Sequence, residues 1–101
     1  MRMLVMFDMP TTTSIERHNY RIFVKELERE GFVRIQFSVY VKICTNFLET
    51  KETEKQLIPF IREDCIVQSL VLTEKQYANM HFLSGTSIKD VRNISKRLLI
   101  L

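Results

Sequence analysis

Asp8 is the acid best placed for chemistry. It closes the apolar run Met3 to Phe7 and stands two residues before Pro10. An aspartate before a proline turn can simply bond to nearby backbone amides. At the carboxyl end of a strand, though, its carboxylate would emerge at a sheet rim. Two copies related by a two-fold axis could then bring both Asp8 carboxylates onto one hard cation such as Mg2+. A metal held there would activate water for phosphodiester cleavage. No second acid stands beside Asp8 in the chain, which favours the turn reading.

A second group is cationic. Arg17, Arg21, Lys25 and Arg29 recur at every fourth residue, so at about 100° per residue they share one half of a helix. Ile15, Tyr20, Ile22, Phe23, Val24 and Leu27 take the other half. Such a stripe is either a solvated face or a track for phosphates. Solvated faces usually mix signs, and here Glu28 is the one acidic neighbour.

Other chemistries lack their residues. Cys44 and Cys65 are the only cysteines and lie beside apolar strand-like runs, as buried free thiols do. His18 and His81 have no partner at metal-ligand spacing and are expected at the surface. No G-x-S-x-G is present, and with only Gly31 and Gly85 a phosphate-cradling loop is excluded.

The elements that must position these residues follow from local signals. Met3 to Phe7 reads as a buried central strand. Thr13-x-x-Glu16 is a capping box, and the helix it opens should run to Gly31. From Phe32 to Ile43 the chain alternates, with Val33, Ile35, Phe37, Val39, Val41 and Ile43 pointing one way. Arg34, Gln36, Ser38, Tyr40 and Lys42 point the other. Twelve residues exceed an ordinary strand, which predicts a break near Gln36 to Ser38 although no glycine or asparagine marks a hairpin. Asn46-x-x-Glu49 caps a second helix extending towards Ile61, and Pro59 should kink it or end it early. Cys65 to Thr73 reads as a strand, and Thr73-x-x-Gln76 opens a short helix over Glu74 to Met80. The order β-α-β-β-α-β is the ferredoxin-like α+β arrangement: an antiparallel sheet with helices on one face and the other face free.

The chain has 101 residues, 46% of them hydrophobic, and a formal charge of +3. One domain is the expectation, and so small a domain leaves apolar surface that favours self-association. Residues 1–83 would form the folded part. Residues 84–101 would be a polar linker ending in Leu98, Leu99, Ile100 and Leu101, an apolar strand docked on its own sheet or a partner's. No run is long enough for a membrane span and no signal peptide is recognisable, so the cytoplasm is the expected compartment. An RNA-recognition motif is rejected. Gly31 to Phe37 has Glu30 before it where a basic residue is required, and Arg34 at an aromatic position.

Three segments together resemble one family. Leu4-Val-Met-Phe-Asp-Met-Pro10, Gly31-Phe-Val-Arg-Ile-Gln-Phe-Ser-Val-Tyr40 and Leu72-Thr-Glu-Lys-Gln-Tyr77 resemble CRISPR-associated protein 2, and most of all its type II members. The resemblance implies a homodimer that bridges two dimers of the integrase, CRISPR-associated protein 1, while short foreign duplex DNA is captured and inserted into the CRISPR array. It places Asp8 at the family's metal-binding position, with Mg2+ at the dimer interface. It also implies a metal-dependent endonuclease on RNA or DNA as an alternative activity. In that context the backbone contacts fall to Arg17, Arg21 and Lys25, with Lys89, Arg92, Lys96 and Arg97 in the tail, since phosphate contacts hold a duplex without reading its sequence. Leu98 to Leu101 would meet a neighbouring subunit. A ferredoxin-like module that binds neither metal nor nucleic acid is the third reading.

Overall fold

The protein is described by a computed structural model over residues 1–85. Four strands form one antiparallel sheet in the order β2-β3-β1-β4. They are β1 (Arg2–Asp8), β2 (Val33–Gln36), β3 (Val39–Ile43) and β4 (Ile66–Leu72), with helices α1 (Ser14–Arg29), α2 (Phe47–Leu57) and α3 (Glu74–Ala78). The arrangement is ferredoxin-like, with α1 and α2 on one face. No helix among the described residues is long and apolar enough to cross a membrane.

The helix ends obey the signals in the sequence. The Thr13 hydroxyl accepts from the Glu16 amide at 3.1 Å while the Glu16 carboxylate accepts from the Thr13 amide at 2.9 Å. Thr73 caps α3 in the same reciprocal way, whereas Asn46 caps α2 by accepting from the Glu49 amide while the Glu49 carboxylate accepts from Thr45. Gly31, at φ +96°, turns the chain out of α1 through a conformation that side chains resist. Pro59 ends α2 early, and a single 3-10 turn, Ile58–Phe60, takes over.

Register explains which side chains meet the helices. Met3 pairs with Lys42 and Val71, and Val5 with Tyr40 and Ser69, so these share the covered face. There Met3, Val5, Phe7, Phe23, Leu27, Phe32, Tyr40 and Leu57 form the core. The Phe7 ring meets Phe23 edge-on at 5.1 Å and stacks on Tyr40 at 5.7 Å, contacts worth about 1 kcal/mol each beyond area burial. Burial pushes the Tyr40 phenol above its ordinary pKa and does the same to the Cys44 thiol.

Several expectations need correction. The chain does break after Gln36, but a bulge between Arg34 and Gln36 shifts the register. Phe37 thereby leaves the apolar set and turns towards α1, where its ring stacks on Tyr20. The remaining apolar set lines the uncovered face, while Tyr40 and Lys42 point under the helices, the Lys42 ammonium donating to Thr53 at 2.9 Å. Ile15 and Ile22 are exposed, because the buried sector of α1 is Phe23, Glu26 and Leu27, with Tyr20 and Val24 packed at its edges. Glu26 is buried instead, its carboxylate bound by Arg29. Cys44 is buried, but Cys65 is only half-buried.

Candidate functional site

Helix α1 builds the cationic site. Arg17, Arg21 and Lys25 are all exposed, along about 12 Å of axis at 1.5 Å per residue. With Phe23 and Leu27 fixing the inward direction, Arg17 and Arg21 fall on the flank that also carries Tyr20, and Lys25 lies near the outward pole. Among the described residues neither Arg21 nor Lys25 has an ion-pair partner. Arg17 donates through Nη1 to the Thr12 carbonyl at 2.8 Å and the Thr11 carbonyl at 3.3 Å, so part of its guanidinium holds the loop after β1. Arg29 departs from this pattern. Its bond to Glu26 raises its pKa and occupies its charge locally, which removes it from the free track.

The same flank continues onto the β2–β3 hairpin. Tyr20 Oη donates to the Phe37 carbonyl at 3.3 Å, and Arg34 on β2 is exposed nearby, opposite Tyr40. Sequence reading placed Arg34 on a polar strand face and Phe37 on an apolar one. The bulge that brings Phe37 beside Tyr20 has no marker residue, so the composite of helix and hairpin was not legible.

Asp8 ends β1 on the uncovered face, paired with Ile66, and is exposed. That is the rim position expected of it. Among the described residues, no three histidines, cysteines or acids come together to hold a metal ion, so a single copy offers one carboxylate and does not by itself make a site for Mg2+. The uncovered face carries exposed apolar residues along its length: Ile66 beside Asp8, Leu70 and Val33 at the level of Leu4, and Ile43 at the far end beside Arg2. The segment from Tyr77 to Phe82 lies along the same face and encloses a groove of about 410 Å3 against Leu4, Met6, Ile35 and Val39. Arg2 anchors that segment. Its Nε donates to both Glu74 oxygens at 3.0 and 3.1 Å, and its guanidinium lies 4.5 Å from the centre of the Tyr77 ring. Lys89, Arg92, Lys96 and Arg97, and the apolar Leu98, Leu99, Ile100 and Leu101, lie outside the described residues.

Comparison with known proteins now decides the family. The family model described as CRISPR associated protein Cas2 matches residues 1–80. The chain belongs to the Cas2 family. A protein of Ligilactobacillus salivarius named CRISPR-associated endoribonuclease Cas2 is 52% identical over the full length of both chains. One of the same name from Lacticaseibacillus rhamnosus is 42% identical, again over both full lengths. The crystal structure of Streptococcus pyogenes Cas2 at pH 6.5 superposes with a TM-score of 0.68 at 25% identity, covering 83% of this chain and 100% of that one. Cas2 membership makes this chain a small subunit of CRISPR adaptation, a branch of antiviral defence, as the three segments at Leu4–Pro10, Gly31–Tyr40 and Leu72–Tyr77 imply.

Proposed function

We propose that two copies of this chain join through the uncovered faces of their sheets and hold double-stranded DNA along the outward flanks of α1. The joined copies bridge dimers of the integrase, CRISPR-associated protein 1, during spacer acquisition in the cytoplasm. The observation that carries the reading is the cationic flank of α1, where Arg21 and Lys25 face solvent without an acidic partner among the described residues. Charges left unpaired along one helix suit phosphate oxygens of any sequence, and this task must accept any captured duplex. Apolar residues on the uncovered face supply a reason to dimerise, since exposed side chains such as Ile66 and Leu70 form the kind of patch that marks an interface. The integrase performs strand transfer, and this subunit sets the geometry between its dimers.

The test is to mix the purified chain with its integrase and a short duplex. A joint complex that inserts the duplex into an array is the expected result. An integrase that inserts equally well without this chain overturns the bridging role.

Asp8 supports a second reading, a metal-dependent endonuclease. Face-to-face association brings the two Asp8 rims together, and a divalent ion there would supply activated water for phosphodiester hydrolysis. The chain's own part is to present one carboxylate from each copy. Cleavage that requires Mg2+ or Mn2+ and vanishes in Asp8→Asn is the expected outcome, and cleavage surviving in that variant refutes it.

A further inference from the structure

Phe37 is a large aromatic side chain that the fold holds out in solvent. It is 69% exposed, yet it is not loosely held. One side of its ring stacks on Tyr20, with centroids 5.9 Å apart and planes 22° from parallel. The Tyr20 hydroxyl bonds to the Phe37 carbonyl at 3.3 Å, and the next carbonyl, of Ser38, accepts from the Phe7 amide at 3.1 Å. Tyr20 is itself braced against Phe7 at 5.9 Å. The hairpin tip is therefore tied to the core, and little ordering would be needed for a flat ligand to use the outer side of the Phe37 ring.

The surroundings say what kind of ligand that would be. Arg17 and Arg21 share the α1 flank with Tyr20, and Arg34 precedes Phe37 on β2; all three are exposed. An aromatic ring set among cations that track a phosphate chain is how single-stranded nucleic acid is gripped without sequence preference. Inside a duplex both flat sides of a paired base are covered by the neighbouring pairs, so away from duplex ends the ring selects unpaired nucleotides.

We propose that the outer face of Phe37, backed by Tyr20, stacks an unpaired nucleobase while Arg17, Arg21 and Arg34 hold the adjoining phosphates. This rests on the reading of the α1 flank as a nucleic-acid track and assigns it a second, single-strand mode.

The experiment uses the full chain and oligonucleotides carrying one 2-aminopurine, as single-stranded DNA, single-stranded RNA and blunt duplex DNA. Stacking on the wild-type protein should quench the fluorescence in the single strands, and the DNA and RNA arms show which sugar is preferred. Phe37→Ala should abolish the quench and weaken single-strand binding roughly five- to a hundred-fold, while duplex affinity stays within about two-fold. Phe37→Trp should restore the quench, whereas Phe37→Leu, which still covers Tyr20, should not. An unchanged quench in Phe37→Ala, or restoration by Phe37→Leu, overturns the proposal. If Arg21→Ala still weakens duplex binding in that case, the duplex track stands and only the base site falls.

Discussion

Replacing Arg21 with alanine offers the sharpest test of the α1 track, because the expected effect is a change in slope as well as in affinity. Arg17, Arg21 and Lys25 on each of two copies would make roughly six phosphate contacts, and each contact contributes about −0.9 to the slope of log K against log salt. The track therefore accounts for a slope of about −5, and raising salt fourfold weakens binding roughly a thousandfold through these contacts alone. Arg21→Ala removes one contact per copy and should flatten the slope by about 2. Arg21 is a cleaner choice than Arg17, whose guanidinium also holds the Thr11 and Thr12 carbonyls. The assay is fluorescence anisotropy of a labelled duplex across a salt series. Lys51→Ala is the control, since Lys51 is exposed on α2 and its loss changes net charge equally. A slope untouched by Arg21→Ala, or flattened as much by Lys51→Ala, would show that overall charge rather than this flank binds the duplex.

The remaining expectations concern the frame around the track. Leu70→Glu puts a carboxylate on the uncovered face, where Leu70 is 48% exposed; sedimentation should show single copies, and the salt slope should fall by about half. Thr13→Ala removes the hydroxyl that caps α1 and should cost about 1 kcal/mol in denaturant unfolding. Glu74 is held below its ordinary pKa, first by the hydrogen bond from Arg2. A lowered folded pKa means its stabilisation is present above the unfolded value and lost as pH falls through the folded one. An NMR titration should therefore find the Glu74 carboxyl protonating at lower pH than an ordinary glutamate, returning to the ordinary range in Arg2→Gln. A thiol reagent applied to the native protein should label half-buried Cys65 before buried Cys44, with Cys44 reacting only on unfolding.

What the sequence made legible was whatever is decided within a few residues. Caps at Thr13, Asn46 and Thr73 each depend on a side chain reaching an amide three positions on, and all three could be read directly. The early end of α2 at Pro59 belongs to the same class. Burial was less legible, because it depends on the partner surface. Hydropathy put Ile15 and Ile22 inward, yet the sheet covers only the sector of α1 around Phe23 and Leu27. Glu26 also enters that sector, because Arg29 one turn later neutralises it. The hairpin was the hardest case. Strict alternation from Val33 to Ile43 concealed a bulge, and that bulge decides that Phe37 joins Tyr20 rather than Val33 and Val39.

The two candidate chemistries sit on opposite sides of one sheet, and this separation gives the fold its economy. Asp8 and the apolar residues Leu70 and Ile66 share the uncovered face by register, whereas Arg17, Arg21 and Lys25 rise from the helix that covers the other face. The proposed association through the uncovered faces would hide apolar surface and leave both α1 flanks turned outward. The α1 cations would thus stay hydrated until phosphates displace their water, with none of them buried on dimerisation. Had the cations stood on the uncovered face, joining two copies would have set like charges against each other in a low-dielectric seam. A chain whose dimer contacts are apolar and whose cations point away can be stable as a pair and still bind tightly to a polyanion.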